Sequence, residues 1–301
     1  MRFLAPLALL LASCSPAAIL NATVPADGVV TTRGIPYADW PRQTLDIYKP
    51  AGAAGEAPLV VFLYGGSWRT GDKGMYPFVA LPLAARGAVV VVPDYRLYPE
   101  VQFPTFLDDN ARAVAWAAAH AAGLGADPRR LFIVGHSAGA YNAAMLALDP
   151  RRLAAAGLDR GALAGVVGLA GPYDFLPITG GDIKPVFASV NDGPLSQPVT
   201  YVDGRNPPLL LLAGSADTTV NPRNTLSLAA KVQAAGGSAE ARILPGIGHI
   251  GIVTAFAPLF RSRAPVLDLV WDFIQRRSAG GRAGATARQP PQPGLARVSA
   301  P

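Results

Sequence analysis

The stretch that decides the fold is "LFIVGHSAGAYNAAMLAL", residues 131–148. Its apolar beginning, Leu131–Val134, is typical of a short strand buried on both faces. A helical pattern of Ala, Met and Leu begins after Gly139, and a single hydroxyl, that of Ser137, lies between the two patterns. Gly-x-Ser-x-Gly between a strand and a helix predicts a tight turn that exposes the serine, with Gly135 and Gly139 where bulky side chains have no room.

Further apolar runs alternate with Ala-rich helical patterns along the chain. The predicted strands are 44–50, 58–66, 88–96, 130–135, 161–171, 209–214 and 240–246, and the predicted helices are 76–85, 104–125, 138–148, 222–235 and 264–277. This alternation predicts an α/β fold with a mostly parallel sheet and helices on both of its faces. The segment Pro172–Pro208 has no clear period, so it is either a small irregular cap over a site or a stretch whose elements the pattern hides.

The amino-terminal residues predict export. Arg2 is followed by the apolar run Phe3–Ala12, which is too short to span a bilayer and is typical of a secretory signal. The run ends in Leu-Ala-Ser-Cys, which resembles a bacterial lipobox, and Cys14 is the only cysteine of the chain. We therefore expect residues 1–13 to be a cleaved signal and Cys14 to carry lipid; a plain secretory signal and a buried amino-terminal strand are the alternatives. Ser15 favours the periplasmic side of the outer membrane of a bacterial envelope.

Charge separates the carboxyl-terminal residues from the body. The chain has 26 basic and 20 acidic residues and a net charge of +6. Arg2 and five arginines from Arg276 onwards account for this excess, because all the acidic residues lie between Asp27 and Asp272. The rest of the chain is therefore neutral, and no nucleic-acid partner is indicated. Residues 278–301, rich in Gly, Pro and Ala, predict a disordered basic tail after a domain at 15–277.

A serine hydroxyl needs a base, and the chain has three histidines. His120 lies inside a predicted helix, and His136 is too near in the turn to curl back to the hydroxyl of Ser137. His249 follows the last predicted strand in a Gly-rich loop, at the edge of the sheet where the strands end. We expect His249 to be the base; a loop histidine without a role is the alternative.

A base is oriented by a carboxylate, and Asp217 lies just past a predicted strand end. The chain order Ser137, Asp217, His249 is the order expected of α/β hydrolases. Asp217 could instead cap the following helix, although Asn221 is the better cap. The weaker candidates for the acid are Asp174 and Asp203.

An oxyanion needs amide donors in addition to the three side chains. The residue after the serine, Ala138, is expected to supply one. The loop "FLYGGSWRTGDK", residues 62–73, is expected to supply another, because Gly65 and Gly66 let the backbone turn its N–H groups inward; a plain turn is the alternative. Trp68 is expected to be a wall of the site or a packing residue.

Several segments together resemble a known family. They are "LDIYKP", "YGGSWRTGDK", "DYRLYPEVQFPTFLDD", "GHSAGA", "AGPYDF", "GSADTTV" and "GIGH". Over about Thr44–Arg277 the chain resembles bacterial carboxylesterases of the α/β-hydrolase superfamily, in particular the esterase/lipase and kynurenine-formamidase-like groups. The resemblance implies an α/β-hydrolase fold with no cofactor and no metal. The roles it implies are nucleophile for Ser137, acid for Asp217, base for His249 and oxyanion donors for Gly66, Ser67 and Ala138.

The function implied is hydrolysis of small-molecule carboxylic esters through an acyl-enzyme. An arylformamidase or amidase with the same side chains, and a catalytically silent lipoprotein that binds a partner, are the alternatives. The sequence departs from the family at Tyr64, where the oxyanion loop usually begins with His, and this leaves the substrate open. Acyl chain length and oligomeric state are open too.

Overall fold

In the computed structural model the described residues are 16–191 and 193–286, with the backbone alone for 279–286. The expected signal at 1–13 and the expected lipidation site Cys14 lie outside these residues. None of the helices in the described ranges is long and apolar enough to cross a bilayer.

The body is built on a sheet that has eight strands in the described part of the chain. The strands are β1 (Val29–Pro36), β2 (Thr44–Pro50), β3 (Ala57–Leu63), β4 (Val89–Pro93), β5 (Ala126–His136), β6 (Leu163–Leu169), β7 (Leu209–Gly214) and β8 (Ala239–Leu244). They lie in the order β1-β2-β4-β3-β5-β6-β7-β8. The β1–β2 and β2–β4 pairs are antiparallel and all other pairs are parallel, which confirms the mostly parallel sheet.

Helices cover both faces of this sheet. They are α1 (Pro16–Ala22), α2 (Pro77–Ala85), α3 (Thr105–His120), α4 (Ala138–Leu148), α5 (Pro150–Ala155), α6 (Arg223–Ala234), α7 (His249–Thr254) and α8 (Val266–Thr286). Along β3, Val60 and Phe62 point into one apolar layer with α2 and α8. The intervening Val61 points into the other layer, with α3, α4 and α6. All three side chains are fully buried, as expected of a central parallel strand.

The segment between β6 and β7 forms the expected irregular cap. It contains 3₁₀ helices at Lys184–Val190, Pro194–Ser196 and Pro198–Tyr201, and no strand among its described residues. Phe187 and Val186 are buried in the apolar layer, and the Tyr141 hydroxyl donates to the carbonyl of Ser196 at 2.7 Å. The cap is therefore packed onto α4, beside the carboxyl ends of the strands.

The end of the chain differs from the prediction. Helix α8 continues nine residues beyond Arg277, so the disordered tail expected from Ser278 was placed too early. The reason is packing, because Val270, Phe273 and Ile274 anchor the helix in the core and Ser278 is still only 4% exposed. The rest of the expected tail, residues 287–301, lies outside the described residues.

Candidate active site

Ser137 lies in a sharp bend between β5 and α4. Its backbone has φ 55° and ψ −120°, values that a residue with a side chain rarely adopts. The bend brings backbone groups so close that a Cβ atom at Gly135 would lie 2.3 Å from the carbonyl oxygen of Gly139. A Cβ atom at Gly139 would lie 2.0 Å from the carbonyl oxygen of Leu63. Both glycines are therefore required by close approach, as the sequence predicts.

His249 connects the serine to a carboxylate. Its Nδ1 lies 2.8 Å from Asp217 Oδ2, and its Nε2 lies 2.8 Å from Ser137 Oγ. Since a carboxylate can only accept, Nδ1 carries the proton and donates it to Asp217, which leaves Nε2 to accept the hydroxyl proton of Ser137. The structure thus brings together the three side chains that the sequence singles out.

Asp217 is fixed on both of its oxygens. While Oδ2 faces His249, Oδ1 accepts the backbone N–H groups of Thr219 and Val220, each at 2.9 Å. Asp217 does not cap α6; the side chain of Asn221, just before the helix, accepts the N–H of its first residue, Arg223, at 3.0 Å. The other two acids are excluded, because Asp174 accepts from Ser227 and Asp203 pairs with Arg160.

The loops that carry acid and base are joined directly. Gly246 N–H donates to Ser215 Oγ at 2.9 Å, and Ala216 N–H donates to the carbonyl of Ile247 at 3.0 Å. The expectation that His249 lies on a flexible loop was wrong, since it is the first residue of α7. The helix forms there because Ile252 and Val253 are buried in the core. The Gly-rich sequence pattern does not reveal this burial.

The expected oxyanion donors lie beside the serine. Ser67 and Ala138 line the same cavity as Ser137, and Gly66 directly precedes Ser67. Ala138 is the first residue of α4, where N–H groups have no partner within the helix. The loop turns sharply, with Ser67 at φ 53° and Trp68 at φ 58°, and the N–H groups of Arg69 and Thr70 donate to the carbonyl of Gly66 at 3.0 Å.

Trp68 is both a wall of the cavity and a packing residue. Its indole N–H donates to Asn142 Oδ1 on α4 at 2.9 Å, and its side chain is 1% exposed. The ring contacts Tyr141 and Phe187 edge to face, with centroids 5.1 and 4.9 Å away. This indole therefore links the oxyanion loop, the helix after Ser137 and the cap.

The cavity in front of Ser137 has a volume of about 560 Å³. One wall is the cap, with the lining residues Pro172, Phe175, Leu176, Pro177, Ile178 and Ile183. The opposite rim is formed by residues 219–221 and the start of α6, where Arg223 is the one charged side chain among the described lining residues. The cavity thus has an apolar wall on the side of the cap and polar side chains at the opposite rim.

A family model, BD-FAE, matches residues 45–232, which is more than half of the chain. The chain belongs to the BD-FAE family. The match covers the oxyanion loop, Ser137 and Asp217, and it ends before His249, whose position therefore rests on the hydrogen bonds above.

Individual proteins are also similar to this BD-FAE chain over parts of its length. A probable isoprenylcysteine alpha-carbonyl methylesterase of Arabidopsis thaliana is 27% identical over 239 residues, which are 72% of this chain and 50% of that protein. The carboxylesterase NlhH of Mycobacterium tuberculosis is 39% identical over 94 residues, 31% of this chain and 30% of that protein. The chain thus spans about half the length of the Arabidopsis relative.

A solved structure shares the fold of this BD-FAE chain. Esterase B of Lactobacillus rhamnosis, inhibited by a tributyrin phosphonate, has a TM-score of 0.77 at 20% identity. The superposition covers 94% of this chain and 96% of esterase B. Together with the sheet order, it confirms the predicted α/β-hydrolase fold.

Tyr64, where this BD-FAE chain departs from the expected His, faces away from the cavity. Its buried hydroxyl donates to Asp94 Oδ1 at 2.7 Å and accepts from Arg42 at 3.0 Å. Its ring stacks between Tyr76 and Tyr95, with centroids 5.4 and 4.9 Å away. The substitution therefore leaves the amides of the following glycines free to point at the site. No local sequence signal reveals this network, because its members lie far apart in the chain.

The other two histidines are not bases for Ser137. His120 is exposed, and its Nδ1 donates to the carbonyl of Trp116 at 2.8 Å. His136 is buried, and its Nε2 donates to the carbonyl of His249 at 3.1 Å. Burial lowers the pKa of His136 to about 3, and the nearby His249 ring, with its centroid 5.0 Å away, adds to this fall. The sequence excludes His136 as the base but gives no sign that it holds the backbone of the base.

His136 makes the stability of the protein depend on pH. Its pKa in the unfolded chain is near 6.5, so between that pH and about 3 the unfolded chain binds a proton that the folded chain does not. The free energy of unfolding should therefore fall as the pH is lowered through this range. The contribution of His136 to this fall is about 1.4 kcal/mol per pH unit. His136→Gln, which keeps an N–H donor and does not titrate, should have a free energy of unfolding less steeply dependent on pH. Urea unfolding of both proteins at several pH values between 4 and 6 measures the two slopes; equal slopes would contradict the assignment.

Proposed function

We propose that this protein is a serine hydrolase that cleaves small-molecule carboxylic esters through an acyl-enzyme. The observation that carries the proposal is the unbroken line of hydrogen bonds from Asp217 through His249 to Ser137, which ends at an open cavity. The names of the methylesterase and carboxylesterase relatives support the ester as the bond cleaved.

The first half of the reaction forms the acyl-enzyme. His249 Nε2 takes the proton of Ser137 Oγ as the oxygen attacks the ester carbonyl carbon, so the carbonyl oxygen becomes an oxyanion. We assign the N–H groups of Gly66, Ser67 and Ala138 to the stabilisation of that charge. The imidazolium then gives its proton to the leaving alcohol oxygen, and the C–O bond of the ester breaks.

The second half of the reaction hydrolyses the acyl-enzyme and regenerates the free serine. Water gives a proton to His249 and attacks the acyl carbon, and the resulting oxyanion is held by the same amides. Ser137 Oγ leaves with the proton of the imidazolium, which releases the carboxylic acid. Asp217 keeps the ring in the required tautomer and stabilises its charged form, because its side chain is fully buried and its other oxygen is occupied.

Removal of the hydroxyl tests the nucleophile. Ser137→Ala should leave the fold intact and lower kcat for p-nitrophenyl butyrate by at least about 10⁴-fold, because Ser137 carries the hydroxyl that is hydrogen-bonded to His249 Nε2. Hydrolysis rates and labelling by a fluorophosphonate probe are the measurements. Ser262→Ala, which changes an exposed serine, is the matched control and should keep both rate and label. Probe labelling that persists in the Ser137→Ala protein would reject the mechanism, and no labelling of the parent would favour a silent binding protein.

The leaving group distinguishes an esterase from an arylformamidase. An amine leaves only when His249 delivers its proton early, whereas an alkoxide leaves more easily, so esters should be the better substrates for this site. We expect kcat/KM for p-nitrophenyl acetate and butyrate to exceed that for N-formylkynurenine by about 100-fold or more. Purified protein assayed on all three compounds gives the ratio. A higher kcat/KM for N-formylkynurenine would mean that the bond cleaved is an amide and not an ester.

We further propose that the protein is an exported lipoprotein of a bacterial envelope, held at the outer membrane by lipid on Cys14. The support is the apolar run 3–12 that comes before the single cysteine of the chain, Cys14.

Metabolic labelling tests the anchor. In a bacterial host fed an alkyne fatty acid, the parent should incorporate label, and Cys14→Ser should incorporate none, because no other cysteine exists. Ser15→Ala, which changes the neighbouring residue, is the control and should keep the label. Equal labelling of the parent and Cys14→Ser, or absence of label from the parent, would contradict a lipid on Cys14.

A further inference from the structure

A second groove, of about 420 Å³, lies on the face that carries α1 and α7. We define the apolar groove by its main lining side chains, Ile19, Leu20, Met75, Ile250, Leu259 and Phe260. Of all its lining residues, three have polar side chains, namely Tyr76, His136 and Thr254. The groove is separate from the cavity in front of Ser137 and shares no lining residue with it.

Exposed apolar side chains concentrate at this groove. Ile19 is 49% exposed, Met75 37%, Ile250 61% and Leu259 58%. Eight large apolar residues are exposed in the described part of the chain, and these four are half of them. Scattered exposed leucines are ordinary, but a cluster beside a concave apolar surface marks a surface that binds something apolar.

The sequence before α1 indicates that the apolar partner of the groove is a membrane. Pro16 and Ala17 line the groove, and in the sequence Cys14 is two residues before Pro16. The apolar run 3–12 comes directly before it. An attachment through lipid on Cys14 or through that run would therefore be close in sequence to residues that line the groove.

The charge around the groove fits a lipid surface. Arg261 and Arg263 follow Leu259 in the same 3₁₀ helix, and the Arg263 guanidinium lies 4.8 Å from the ring centroid of Phe260. Between Glu240 and Asp268 the chain has no acidic residue. Apolar side chains flanked by arginines are typical of segments that sit in the interface of anionic bilayers.

We propose that the apolar groove docks on the acyl-chain region of a lipid bilayer, with the exposed Arg263 at the headgroups. The proposal uses the attachment of the preceding chain and does not depend on ester hydrolysis. Because α7 begins with His249 and continues with Ile250, docking places the active site next to the membrane surface.

A fluorescent label at the groove tests the proposal in the full chain. Cys14→Ser removes the only native cysteine, so Leu259→Cys can carry one environment-sensitive label. Leu226→Cys on α6, which replaces a leucine that is 52% exposed, is the matched control. The vesicles contain phosphatidylethanolamine and phosphatidylglycerol, with and without a nitroxide on the acyl chain. We expect the nitroxide to lower the fluorescence at 259 at least about twofold and to leave that at 226 nearly unchanged.

Other outcomes overturn the proposal. Measured on the chain that floats with the vesicles, equal quenching at both positions or no quenching at 259 would each exclude docking through this groove. Protection of the label at 259 from aqueous iodide before vesicles are added would mean that the chain's own residues 3–12 or a second copy fill the groove. None of these readings requires activity, so they are distinguishable from a failure of the ester-hydrolase proposal.

Discussion

The close approach of the first turn of α4 to the end of β3 is the constraint on which the rest of the site depends. At Gly139 the two backbones are so near that a Cβ atom would lie 2.0 Å from the carbonyl oxygen of Leu63. Leu63 ends β3, and the oxyanion loop follows it within a few residues. The same approach therefore holds Ser137 and Ser67 at one cavity. Any side chain at position 139 would push the helix away from the strand and separate the hydroxyl from the amides that are to receive the oxyanion.

The other half of the site depends on the order of the strands. Because β5, β6, β7 and β8 are parallel neighbours, their carboxyl ends meet at one edge, and residues 112 positions apart reach hydrogen-bond distance. The bonds from Ser215 to Gly246 and from Ala216 to Ile247 then join the loop of the acid to the loop of the base. His249 is consequently positioned by the sheet, by the loop of the acid and by the hydrogen bond that His136 donates to its carbonyl. Little conformational freedom therefore has to be lost when substrate binds.

Sequence patterns predicted the parts of the molecule that hydrophobic burial determines. Strand β2, helix α4 and strand β7 were predicted with their observed bounds, because each is rich in apolar residues and has a proline at or near one of its ends. Strand β1 was not predicted, since most of its side chains are exposed and no apolar pattern marks it. The triad could be found because three residue types, in a known chain order, each follow a predicted strand. The hydrogen bonds of Tyr64 and the hydrogen bond from His136 to the carbonyl of His249 could not be found from the sequence. Each joins residues that come into contact only after the sheet has formed.

His136 connects the chemistry of the site with the apolar groove behind it. In the proposed mechanism His249 becomes positively charged, and a second positive ring with its centroid 5.0 Å away would oppose that step. At an effective dielectric constant of about 20, two unit charges at this separation repel by about 3 kcal/mol. Burial prevents this repulsion, because it lowers the pKa of His136 to about 3 and so keeps the ring neutral at the pH of catalysis. The ring owes this burial partly to the groove that it lines, so apolar chains in the groove would preserve the neutral form. Water or an acidic group there would favour the charged form and raise the barrier to proton transfer from Ser137.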